Sequence, residues 1–146
     1  MTSRIDKNIK IPLFSAETGQ FYPLSAENRG IFVIFAAQNY NYLKVISNVC
    51  SWRTGATATH PGAQIDLLIA RGDNVINVCE MKYSKGPFLL TQEYADQLER
   101  KMPVFREVTQ CRASLHLTLI STFGLQPADA WNAVQSQVTM EDLFRD

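Results

Sequence analysis

Two apolar runs separated by one polar turn dominate the hydrophobic pattern of the chain. The first, QIDLLIA, spans residues 64–70, and the second, VINVCEMKY, spans residues 75–83. Arg71-Gly72-Asp73-Asn74 lies between them. Short Ile-, Leu- and Val-rich runs bounded by Gly, Asp and Asn predict a β-hairpin. Three charges interrupt the apolar runs: Asp66 in the first, Glu80 and Lys82 in the second. A charge held in an apolar strand costs free energy unless it is paired, hydrogen-bonded or bound to a metal.

The length of the turn decides whether these charges meet. Side chains alternate faces along a strand, so Glu80 and Lys82 point the same way. A two-residue loop at Gly72-Asp73 pairs Asp66 with Cys79 and sends Glu80 to the other face. A three-residue loop, Gly72-Asp73-Asn74, pairs Asp66 with Glu80 and Gln64 with Lys82. Asn74 favours the longer loop, whose last residue is usually left-handed, a conformation Asn tolerates. The expectation is therefore an odd-length loop or an equivalent bulge, with all three charges on one face.

Around the hairpin the pattern predicts an α/β order. Residues 1–29 read as irregular structure or one short edge strand, separate from a domain over 30–146. Residues 31–49 read as a helix, with a strand as the alternative for 31–35, residues 49–53 as a short strand and residues 54–62 as a loop. Thr91 is placed to cap a helix over residues 92–107, with Tyr94, Leu98, Met102 and Phe105 on its inner face. Pro103 is expected to kink or split that helix. Arg100, Lys101 and Arg106 fall on its other surfaces and read as a solvated face or as phosphate contacts. SLHLTLIST, residues 114–122, alternates as a strand; residues 123–132 read as a loop and residues 133–138 as a last short strand. Thr139 and Asp142 have capping-box spacing. Trp52 reads as core or interface, His60 as a solvated loop residue and His116 as structural.

Composition bounds the function. At 146 residues and 46% apolar, the chain is long enough for one domain with a real core. Its 14 Lys+Arg balance 14 Asp+Glu, so no global positive field draws in nucleic acid, which counts against tight, unaided DNA binding. No apolar run approaches the ~20 residues of a membrane span, and no apolar core follows the N-terminal MTSRIDKNIK. The expectation is a cytoplasmic protein with no membrane partner. Cys50, Cys79 and Cys111 form no CxxC and read as reduced, packed thiols.

Two adjacent carboxylates repel unless one is protonated or a divalent cation lies between them. Mg²⁺ favours one or two carboxylates with phosphate and water oxygens. A neighbouring ammonium can orient water and offset charge on a phosphorus centre. The simpler alternative for the three charges is a solvated edge hairpin with a cross-strand ion pair.

Asp66 followed by Glu80-Met81-Lys82 resembles the Asp…Glu-x-Lys signature of the PD-(D/E)XK nuclease superfamily. The ordered runs SWR (51–53), GAQIDLLI (62–69), CEMKYS (79–84), LHLTLI (115–120) and VTMEDLF (138–144) are similar to nuclease-like C-terminal domains of prokaryotic AAA-type ATPases. The resemblance implies a restriction-endonuclease-like α/β fold: a mixed central sheet flanked by helices, with the hairpin at its active edge. It implies Mg²⁺ or Mn²⁺ held by Asp66, Glu80 and the Met81 backbone carbonyl, with Lys82 as the third catalytic group. Gln64 and Gln97 would contact substrate. DNA is the implied substrate, an AAA-type ATPase an implied partner, and a homodimer a further expectation. The family's Gly-x-x-Phe-Glu run has no counterpart at Gly30-Ile31-Phe32-Val33-Ile34, which lacks the acid. That departure keeps a second function open: a catalytically inactive module for DNA or protein binding. No G-x-x-x-x-G-K-[ST] occurs in the chain, so the ATPase itself would be a separate part.

Overall fold

The structure is a computed structural model, and it describes residues 20–22 and 46–144. Apolar runs of strand length dominate those residues, and they fold as a mixed six-stranded sheet in simple chain order. The strands are β1 (Gln20–Tyr22), β2 (Ile46–Thr54), β3 (Ala63–Arg71), β4 (Val75–Lys82), β5 (Ser114–Ser121) and β6 (Ser136–Thr139). The first four run antiparallel, each to the next. β4–β5 and β5–β6 are parallel. Parallel neighbours need a crossover, which helix α1 (Gln92–Thr109) supplies between β4 and β5.

The turn between β3 and β4 is the three-residue loop that the sequence predicts. Leu67 pairs with Cys79, Leu68 with Val78, Ile69 with Asn77 and Ala70 with Ile76. Asn74 is left-handed at φ 63°. Its carbonyl accepts the N–H of Ser114 at 3.0 Å, tying the loop to the start of β5. Arg71 grips Asp73 through its guanidinium. That hydrogen bond, aided by the Arg71 charge, holds the exposed Asp73 carboxyl below its ordinary value.

The hairpin lies in the middle of the sheet, not at an edge. β2 covers one flank and β5 the other, so edge status passes to β1 and β6. This explains why both strands are apolar on both faces: Ile65, Leu68, Ile76 and Val78 join one cluster, Leu67, Ile69 and Cys79 another.

α1 covers the first of these faces. Thr91 caps it by accepting the Tyr94 N–H at 3.2 Å. Ala95, Leu98, Val104 and Phe105 are buried beneath it. The Phe105 ring meets Trp52, wholly buried, edge-on at 5.0 Å, so Trp52 is core. Pro103 does not split the helix, which runs unbroken for 18 residues. Pro103 is exposed on the outer surface of the helix.

Other boundaries shift. Residues 46–49 belong to β2 rather than to a helix, because Val49 and Cys50 pair with Ile69 and Leu68 on β3. The rest of the helix expected over 31–49 lies outside the described residues. β1 is the short edge strand expected within residues 1–29. The last strand begins at Ser136, and Asp129–Ala133 before it is a 3₁₀ turn. Thr139 and Asp142 cap each other reciprocally, Asp142 Oδ2 accepting the Thr139 N–H at 2.7 Å. All three cysteines are free and buried. Among the described residues no helix is long and apolar enough to cross a membrane.

Candidate site at the open end of the central hairpin

Strands β3 and β4 pair only up to Leu67 and Cys79. Beyond that point β3 continues against β2 and β4 against β5, and the two part company. Asp66 on β3 and Glu80 on β4 are the first residues past the last ladder pair. A β-bulge falls at the same place. Cys50 pairs with Leu68 and Trp52 with Ile65, so Ser51 alone opposes both Asp66 and Leu67. A bulge re-aims the side chain it carries, and Asp66 is such a residue. The half-buried Asp66 carboxylate lies within hydrogen-bond reach of Gln64 Nε2, at 3.5 Å.

Glu80 is the buried centre of the cluster, 8% exposed. It points toward α1. Tyr94 donates its hydroxyl hydrogen to Glu80 Oε1 at 2.6 Å. Lys101 donates to Glu80 Oε2 at 2.8 Å. Lys82 stands 3.6 Å from Oε1, and its ammonium lies over the Tyr94 ring, 4.7 Å from the centroid. Burying a carboxylate at this depth needs compensation, and two donors on α1 with a nearby ammonium on β4 provide it.

The surroundings hold the Tyr94 hydroxyl in its protonated form. Burial raises its pKa most, followed by the hydrogen bond to Glu80, then the charges of Glu80 and Asp66.

The remaining sequence-predicted residues are placed as follows. Met81 is half-buried on β4 beside Ile120 of β5. Gln64 is exposed on β3, paired with Arg53 of β2 rather than with Lys82, because the β3–β4 ladder has already ended. Gln97 is exposed on α1, one turn before Lys101. His60 is in the loop after β2, its Nδ1 3.0 Å from the Pro61 carbonyl.

Sequence reasoning missed two members of the cluster. Lys101, which the helical pattern sets on a solvated face or against phosphate, has a side chain only 24% exposed and pairs with Glu80. Tyr94, an inner-face residue by its spacing, also donates to the same carboxylate. The missed signal was helical spacing: Tyr94 and Lys101 are seven residues apart, two turns, on either side of buried Leu98.

Two carboxylates on diverging strands are oxygen donors of the kind a hard divalent cation takes. Among the described residues no group of three or more His, Cys, Asp or Glu gathers to hold a metal. Any cation would rely on Asp66, Glu80 and backbone or water oxygens. Compared with family models, curated proteins and solved structures, the chain matches none of them.

Proposed function

We propose that this cluster is a metal-dependent nuclease-type site that hydrolyses DNA phosphodiester bonds. The observation that supports the reading is the hairpin register, which ends at Leu67–Cys79 immediately before Asp66 and Glu80, with Lys82 3.6 Å from the Glu80 carboxylate. Asp66, Glu80 and the Met81 carbonyl would hold Mg²⁺ or Mn²⁺. That ion, when bound, supplies Lewis acidity toward a phosphate oxygen and lowers the pKa of a bound water. Lys82 orients the attacking water and offsets negative charge that grows on the phosphate oxygens. The Tyr94 ring beneath the Lys82 ammonium fixes its direction. The exposed Gln64 and Gln97 lie where a nucleic-acid strand can reach them. A restriction-endonuclease-like fold is part of the same proposal, supported by an antiparallel hairpin that continues through a helix into a parallel strand. A partner AAA-type ATPase and a homodimer belong to it through the sequence resemblance alone.

The test is cleavage of plasmid and single-stranded DNA with Mg²⁺ or Mn²⁺, by the wild type, Asp66→Ala and Lys82→Ala. Metal-dependent cleavage that both substitutions abolish is the expected result. The same residual cleavage in all three proteins overturns the proposal.

One observation favours a second reading, an inactive module that binds DNA or protein. Both Glu80 oxygens already accept from donors on α1, and Lys82 and Lys101 both pair with its carboxylate with no added ion. No Mn²⁺-dependent rise in melting temperature is its expected signature.

A further inference from the structure

Exposed large apolar side chains gather at one end of the sheet. Among the described residues there are five, and four of them, Tyr83, Leu89, Phe123 and Met140, lie on the segments that leave the carboxyl ends of β4, β5 and β6. Those three strands run parallel, and their ends stand in one row: Lys82 beside Ser121, and Ser121 beside Thr139. Apolar residues scattered singly over a surface are ordinary, but a gathering on neighbouring strand ends marks a binding surface. The carboxyl end is also where open α/β sheets take their ligands.

Backbone hydrogen bonds hold these segments to one another. The Ser84 N–H donates to Thr122 Oγ1 at 3.3 Å, and the Met140 N–H donates to the Thr122 carbonyl at 3.2 Å. Farther out, the Phe88 N–H donates to the Gly124 carbonyl at 2.8 Å, and the Gln126 N–H donates to the Phe88 carbonyl at 2.9 Å. Tyr83, 87% exposed, and Phe123, 53% exposed, are thus carried on a backbone that is already tied down. A ring presented in this way meets a flat ligand at little cost in ordering.

We propose that the carboxyl end of β4, β5 and β6 binds single-stranded DNA, with Tyr83 and Phe123 stacking on its unpaired bases. The choice of DNA as ligand rests on the nuclease reading above. Tyr83 follows Lys82 directly, so a base on its ring brings the strand to the edge of the candidate site. Lys85, two residues on, is exposed and has no acidic partner among the described residues. Lys82 and Lys85 therefore flank an open ring in sequence, the combination of ammonium and aromatic face that a single strand takes. Bases inside a duplex cover one another's faces, so only an unpaired stretch can offer them to Tyr83 and Phe123. The balanced net charge fits this mode, since stacking supplies what a global positive field does not.

Fluorescence anisotropy of a labelled oligo-dT strand, with the full chain and no divalent cation, reads the binding; a blunt duplex of the same length is the control. The single strand is expected to bind about tenfold or more tightly than the duplex. Tyr83→Ala and Phe123→Ala are each expected to weaken it by about fivefold to a hundredfold, the range for losing one stacked base. Tyr83→Trp is expected to keep the affinity, and the strand to quench its indole emission. Two phosphate contacts, at Lys82 and Lys85, predict a slope of log K against log salt of about −1.4. Equal affinity for the two DNAs, or full affinity in both alanine variants, overturns the inference. So does a dimer in sedimentation that Tyr83→Ala dissolves, with oligo-dT left unbound: the surface then belongs to a second copy of the chain. In each of these cases metal-dependent cleavage that Asp66→Ala abolishes leaves the nuclease reading standing. Neither binding nor cleavage of either DNA overturns both.

Discussion

Tyr94 hands its hydroxyl hydrogen to Glu80 across 2.6 Å, joining the first turn of α1 to the end of β4. This bond has two consequences. It lets a nearly buried carboxylate remain in the sheet, and it props up the ring that carries the Lys82 ammonium. Structure and candidate chemistry thus meet at one side chain.

Tyr94→Phe keeps the ring and removes the donor. The expected loss is about 1.5–3 kcal/mol, the range for a hydrogen bond to a charged group. Urea unfolding followed by circular dichroism measures it. A loss under about 0.5 kcal/mol would mean that water replaces the hydroxyl and that the bond carries little stability.

The hairpin turn gives a backbone prediction. Asn74 occupies the left-handed region at φ 63°, which glycine enters freely and β-branched residues resist. Asn74→Gly is expected to change stability by less than about 0.5 kcal/mol. Asn74→Val is expected to lose about 1–2 kcal/mol, the cost of placing a Cβ in that region. Equal denaturation midpoints for the two variants would show that the loop can change its conformation at no cost.

Loop length was legible because Asn74 announces a left-handed position, and with it came the β3–β4 register. The cap at Thr91, the buried Trp52 and the Thr139–Asp142 pair were legible for the same reason, each being a local rule about one or two residues. The central place of the hairpin was not. It depends on β2 and β5 docking from distant parts of the chain, and strand composition alone does not say who the neighbours are. Lys101 was hidden for a related reason. A lysine among Arg100, Pro103 and Arg106 reads as surface until a buried acid from another element is brought beneath it. The bulge at Asp66 leaves no trace in an apolar run, since its cause is the slip between β2 and β3.

Alkaline pH should weaken the fold through its thiols. Burial pushes Cys50 from 9.0 up to about 12, and it pushes Cys79, deeper still, in the same direction. The folded state keeps both protons where the unfolded chain has begun to lose them. Above pH about 9 the unfolded state therefore binds fewer protons, and stability falls as pH rises toward the folded-state values. The slope for each thiol is at most about 1.4 kcal/mol per pH unit. Unfolding midpoints measured from pH 8 to 11 give the slope, and Cys50→Ala is expected to make it shallower. A midpoint that does not move above pH 9 would contradict the burial of these groups.

The cluster around Glu80 should behave as a unit rather than as separate contacts. Glu80→Ala leaves two ammonium groups and a hydroxyl facing each other with no acceptor between them. Breaking a buried pair from one side costs about 3–5 kcal/mol, most of it from the charge left behind. Lys101→Met alone removes one donor and leaves Lys82 and Tyr94 to serve the carboxylate, so its cost is expected to be smaller. Adding Lys101→Met to Glu80→Ala removes one of the stranded charges, so the double variant should be more stable than the sum of the single losses predicts. The expected coupling is about 0.5–3 kcal/mol, read from the four unfolding free energies of the cycle. Strict additivity would mean that Lys101 and Glu80 do not interact in solution.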